Sequence, residues 1–264
     1  MQHYNHEEYV STIESIFSDL SIGELSIEAK SNQLRRYTEI VCRRLLDISN
    51  KKPLILSIAK KDLQDRGYNE EFFQNALSVI TKDQKQYAHT QKPMLLTNDL
   101  LEEKIDALFT IYGYLFYRFF LKHEFGKNPD ILTAFSILPP IIRYKTLSRL
   151  FEFTPNNTMV IDKLVLAILK AFDAEYALEW IEKNKELLMM LVIIQELPMG
   201  LPALQNNMYN ICMEKAYQMK RNYKHPYTTF QEAKRYYNEH GIVQGESEEV
   251  IEFNSLMEFV YTGH

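Results

Sequence analysis

Arg118 and His123 enclose four residues in the run Arg118-Phe-Phe-Leu-Lys-His123, inside the segment IDALFTIYGYLFYRFFLKHEF (105–125). A histidine near neutral pH can give and take a proton, and an arginine can stabilise the charge that develops on a phosphate. Together they have the chemistry of metal-free phosphodiester cleavage. On one helix, five residues turn through about 500°, so the two side chains leave the axis about 140° apart and would not touch directly. The competing reading makes Arg118 a paired core or interface arginine and His123 a cation suited to a helix C-terminus. Arg235-Tyr-Tyr-Asn-Glu-His240 repeats the same form.

Two basic stretches point to RNA or an acidic partner. Arg35, Arg36, Arg43 and Arg44 lie largely off the apolar stripe of one long helix, with Lys60 and Lys61 further on. A face balanced by Glu28, Glu39 and Asp47 explains the same pattern. The segment Tyr217–Tyr237 sets Lys220, Arg221, Lys224, His225, Lys234 and Arg235 among tyrosines, a mixture suited to stacking on nucleic acid. Amphipathic packing with lysine stems laid along apolar surface is its alternative.

Other chemistry is absent from the sequence. It holds no GxxxxGK[ST], GxGxxG, HExxH, GxSxG or CxxC. The carboxylate pairs Glu7-Glu8, Glu70-Glu71, Glu102-Glu103 and Glu248-Glu249 stand at expected helix starts, where the helix dipole favours acids. Cys42 and Cys212 sit in apolar helical patterns and read as small buried thiols. No metal ligand set and no cofactor motif is expected.

The elements that would position these residues are helices. The chain has 264 residues, 46% of them apolar, with only 8 Gly and 9 Pro to punctuate it, so long helices are favoured over many short strands. Helical spacing predicts elements over 6–20, 24–48, 53–65, 70–81, 98–126, 131–151 broken at Pro139-Pro140, 159–172, 175–184, 187–194, 206–221, 229–240 and 246–261. Residues 82–96 read as a loop, and Asn98 or Asp99 as the cap of the segment that follows. The segment 105–125 is apolar on nearly every face and is expected to be buried all round, with Arg118 in need of a partner. Leu187–Ile194 is expected as a second buried helix. The last helix either docks on the body or captures a partner helix.

The helix arrangement and the R-x4-H spacing resemble HEPN domains, small all-α modules of which many are metal-independent ribonucleases in prokaryotic toxin, CRISPR and anti-phage systems. The long helix AKSNQLRRYTEIVCRRLLDI before the motif helix and the extent of residues 1–127 fit that likeness. It implies a site completed by dimerisation, with Arg118 and His123 of two chains facing the RNA backbone.

The expected fold is therefore all-α: an HEPN-like bundle over 1–127 and a second helical module over 128–264. Three functions are open. The first is a non-catalytic interaction or regulatory protein of an anti-phage or stress-response system, with a protein partner or a second copy of itself. The second is a dimeric HEPN-type ribonuclease, and the third an RNA-binding adaptor. The net charge of −5 disfavours a dedicated nucleic-acid coat but not a local basic site. The absence of a signal-peptide pattern, of a run of roughly twenty apolar residues and of cysteine pairs points to a cytoplasmic protein away from membranes.

Overall fold

In the computed structural model, residues 26–48, 53–82, 97–195, 204–222 and 230–262 are described. They hold twelve helices and one two-stranded sheet, an all-α protein. The expected first helix, 6–20, and the expected loop, 82–96, lie outside the described residues, apart from Lys82 at a helix end. By packing the chain divides into unit 1, Met1–Phe116 with Gln244–His264, and unit 2, Tyr117–Val243. The division falls within the motif helix, whereas Asn128–Pro129 marks the start of a helix.

Unit 1 contains α1 (Ile27–Leu46), α2 (Leu56–Asp65), α3 (Glu71–Thr81), the first part of α4 (Asn98–Lys122) and the C-terminal helix, called α12 (Glu248–Thr262). Ser26 starts α1 by accepting the Ala29 amide at 3.2 Å, and Asp47 ends it in the left-handed conformation. Leu34, Tyr37, Thr38, Val41 and Cys42 form the buried face between these caps. The Arg66 guanidinium donates to the Leu46 carbonyl at 2.9 Å, satisfying a helix-end acceptor. Thr97 rather than Asn98 or Asp99 caps α4, its hydroxyl accepting the Leu100 amide at 3.3 Å.

Two buried polar groups organise this core. Tyr114 stacks on Phe73 with centroids 3.9 Å apart and donates its hydroxyl to Glu70 at 2.5 Å. Lys104, 2% exposed, donates to the Ser31 hydroxyl at 3.0 Å. Helix α12 docks within the same unit: Phe253, Met257, Phe259 and Tyr261 are fully enclosed, and Phe253 meets Phe116 edge-on at 6.3 Å. Ile251 is 60% exposed, whereas Val250 beside it is buried.

Unit 2 holds the end of α4, then α5 (Pro129–Phe135), α6 (Pro140–Phe153), α7 (Thr158–Ala171), α8 (Ala174–Lys183), α9 (Lys185–Met190), β1 (Val192–Gln195), β2 (Leu204–Asn207), α10 (Met208–Asn222) and α11 (Phe230–His240). Proline sets the first breaks. Asn128 caps α5 with Pro129 in its first turn, and Pro140 opens α6 after the chain bends at Pro139. Asn157 accepts the amides of Met159 and Val160, and Asp173 that of Tyr176. These caps start α7 and α8, and α7 packs against both α6 and α8. Ile161, Val165, Ile181, Leu188, Met208, Cys212 and Ala216 form its core cluster with α10. An ion pair of Asp162 with Lys215 fastens α7 to α10.

The expected buried helix over 187–194 is corrected. It is one and a half turns of α9 followed by β1, which pairs antiparallel with β2 from Val192↔Asn207 to Gln195↔Leu204. Three successive β-branched residues, Val192, Ile193 and Ile194, favour the extended chain. Strand alternation then turns Ile193 onto the core cluster and leaves Val192 56% and Ile194 62% exposed.

Candidate functional site

Helix α4 encloses its aromatic residues from Tyr112 to Phe120 as expected, with Phe109 half-buried and with one correction. Residues 111–117, Phe119 and Phe120 are all buried, whereas Arg118 is exposed. Leu121, three residues on, is 36% exposed, and Lys122, four residues on, is exposed too. Positions i, i+3 and i+4 make one helix stripe, so the segment keeps a single open side and Arg118 is on it. His123 follows the last helical residue, its amide bonded to the Phe119 carbonyl at 2.8 Å. Its ring lies 4.7 Å from the buried Phe119 ring, so it is half-buried and set toward the core side of the segment. Arg118 and His123 thus occupy different sides of the same helix end. In the second copy, Arg235 and His240 are both exposed, and the His240 ring rests 4.8 Å from Tyr236.

The basic patch of α1 is largely engaged in structure. Arg35 pairs with Glu39 at 3.2 Å one turn on. Arg44 reaches α12, donating to the Ser255 hydroxyl at 2.9 Å with its guanidinium 4.5 Å over the Phe259 ring. Arg43 is half-buried in the last turn, where a cation suits the helix dipole, and Arg36 is exposed. Of the second basic stretch, Lys224 lies outside the described residues, as do the side chains of Lys220 and Arg221 within α10. Lys60 donates to the Ser78 hydroxyl at 2.5 Å, tying α2 to α3.

Both thiols are buried, and burial pushes each up to about 12. At neutral pH they stay protonated and unreactive, as small apolar residues would be. Among the described residues no group of three or more His, Cys, Asp or Glu is placed to hold a metal ion. None of their helices is long and apolar enough to cross a membrane.

Two surfaces that the sequence did not single out emerge in unit 2. On the first, Met189, Met190, Val192 and Ile194 are 49%, 79%, 56% and 62% exposed, an uncharged apolar strip along α9 and β1. The signal for it was the β-branched run before Pro198, Gly200 and Pro202. On the second, Tyr144, Phe172 and Tyr176 cluster at the α6–α7–α8 end, Phe172 lying 4.8 Å from Tyr144 and 4.7 Å from Tyr176. Nothing in the sequence marks it, because the three residues belong to three helices.

On α7, Lys170 is half-buried. Burial first, and then the charges of Arg143 and Lys163, push its ammonium down to about 8. Below pH 8 the folded and unfolded chains both carry the proton, and the cost of burying the charge is fully present. Between about 8 and the ordinary lysine value near 10.4 the folded chain releases it first, so stability rises with pH through that window. Lys170→Met is therefore expected to stabilise the protein near pH 7 by about 1 kcal/mol, a figure reduced because half the side chain meets water. Urea unfolding near pH 7 should show this gain, and near pH 10 the two proteins should be alike.

Comparison of the chain with family models, with curated proteins and with solved structures gave no match.

Proposed function

We propose that this chain is a helical interaction protein without catalytic activity of its own, and that it engages a second copy of itself through β1. The observation that carries this reading is the apolar strip of Met189, Met190, Val192 and Ile194, which a solitary chain would leave in water. A two-stranded sheet is marginal by itself, and among the described residues no third strand pairs with the far edge of β1. An antiparallel β1–β1 pairing is self-complementary, satisfies the edge amides and sets Val192 and Ile194 of the two copies side by side on one face. The setting implied by the HEPN likeness, an anti-phage or stress-response system, belongs to this reading.

Sedimentation of the purified protein tests it. The wild type is expected to form dimers, and Ile194→Asp to weaken them by about 2 kcal/mol, roughly thirtyfold, while leaving the helix content unchanged. A wild type that remains monomeric at every concentration contradicts the proposal.

One observation favours a second reading, the dimeric ribonuclease. Arg118 is exposed on the helix surface rather than in the core. In that reading His123→Ala abolishes RNA cleavage without altering the fold. Cleavage that survives the substitution removes His123 from the chemistry.

A further inference from the structure

The open face of β1 carries one side chain that can react. Leu191, which follows the last residue of α9, is already extended, with φ −85° and ψ 98°. The alternation of the strand therefore begins there. Leu191 and Ile193 turn onto the core cluster, so Met190, Val192 and Ile194 stand together on the other side. Met190 is 79% exposed, more than any other large apolar side chain among the described residues. Met189, one helical residue earlier, leaves the axis about 100° away and is less open.

Met190 differs from Val192 and Ile194 in holding a sulfur. Oxidation turns that thioether into a sulfoxide, which is polar and a strong hydrogen-bond acceptor. An oxidant has to reach the sulfur, and it cannot reach Met208 or Met257, which are fully enclosed. The two thiols do not compete, since Cys42 and Cys212 are buried and stay protonated. An antiparallel pairing of two copies through β1 brings both Met190 side chains to the same assembly, so any change at this residue enters twice. A sulfoxide on an apolar face holds water there, because its oxygen finds no donor among Val192 and Ile194.

We propose that Met190 is an oxidation site through which peroxide releases the pairing of two copies at β1. This regulation rests on the β1 pairing and would fail with it. In the reaction the Met190 sulfur attacks one oxygen of hydrogen peroxide, and the S–O bond forms as the O–O bond breaks. The sulfur gives two electrons to the peroxide. The proton on the transferred oxygen passes to the departing hydroxide, which leaves as water. Methionine sulfoxide reductases return the thioether, so the change is reversible.

Dilute hydrogen peroxide on the full chain tests the site, with oxidised residues located by peptide mass and the dimer followed by sedimentation. One oxygen should be added at Met190, while Met208 and Met257 stay unmodified. The dimer should weaken roughly tenfold, and treatment with the reductases should restore it. Met190→Leu keeps the apolar bulk without the sulfur, so its dimer should survive peroxide. Met189→Leu should remain as sensitive as the wild type. An untreated chain that is monomeric removes the β1 pairing and this proposal with it. A dimer that persists with Met190 fully oxidised overturns this proposal alone, as does a Met190→Leu dimer that peroxide dissociates equally. Circular dichroism follows the treatment, and loss of helix in step with dissociation would mean unfolding and also overturn it.

Discussion

A chain that stops at Gln244 is expected to leave unit 1 unfolded. Helix α12 contributes Val250, Phe253, Leu256, Met257, Phe259, Val260 and Tyr261 to the buried interior. Each such side chain gains about 1.5–3 kcal/mol on full burial. Seven together are comparable to the whole net stability of an ordinary domain, about 5–15 kcal/mol. The truncation also uncovers Phe116 on α4, and it takes from Arg44 both the Ser255 hydroxyl and the Phe259 ring. A point version of the same experiment is Phe253→Ala, expected to cost about 3–5 kcal/mol in urea unfolding. Its control is Ile251→Ala, two residues away and 60% exposed, which should change stability by less than about 0.5 kcal/mol. Equal effects of the two would mean that α12 does not pack as described.

Tyr114→Ala is expected to have the next largest effect, about 3–5 kcal/mol. The ring is fully enclosed, stacked on Phe73 and met edge-on by Phe72 at 5.7 Å and Tyr68 at 6.4 Å. Its removal opens a cavity where α3 and α4 meet. Tyr114→Phe separates the hydroxyl from the ring. It keeps the packing and removes the donor to Glu70, and should cost about 1.5–3 kcal/mol because the acceptor is a carboxylate. Urea unfolding of the two variants divides the contribution of shape from that of the hydrogen bond. A Tyr114→Phe variant as weak as Tyr114→Ala would place nearly all the stabilisation in the hydroxyl.

Much of this fold was legible because it is written locally. The stripe of Leu34, Tyr37 and Val41, the break at Pro139-Pro140 and the two buried thiols each follow from neighbours within a few residues. The strand β1 was misread because LLMMLVII is apolar throughout, and a short run of that kind has no period to separate helix from strand. Only the β-branching of Val192 to Ile194 and the prolines beyond it carried the answer. Arg118 was expected inside because its neighbours are aromatic, yet Leu121 and Lys122 share its stripe and open that side to water. The residues of the candidate surfaces were the least legible. Arg44 acquires its role from Ser255, 211 residues away, and Tyr144, Phe172 and Tyr176 come together only when α6, α7 and α8 have packed.

The central claim is that the open edge of β1 is covered in the working assembly. Hydrogen exchange of the backbone amides over 189–195 tests it most directly, measured on the full chain below and above the concentration at which the particle mass doubles. The expected result is slowed exchange in that segment above the doubling point, and no such slowing in Ile194→Asp. Doubling of the mass with unchanged exchange at β1, or no doubling at all, would contradict it.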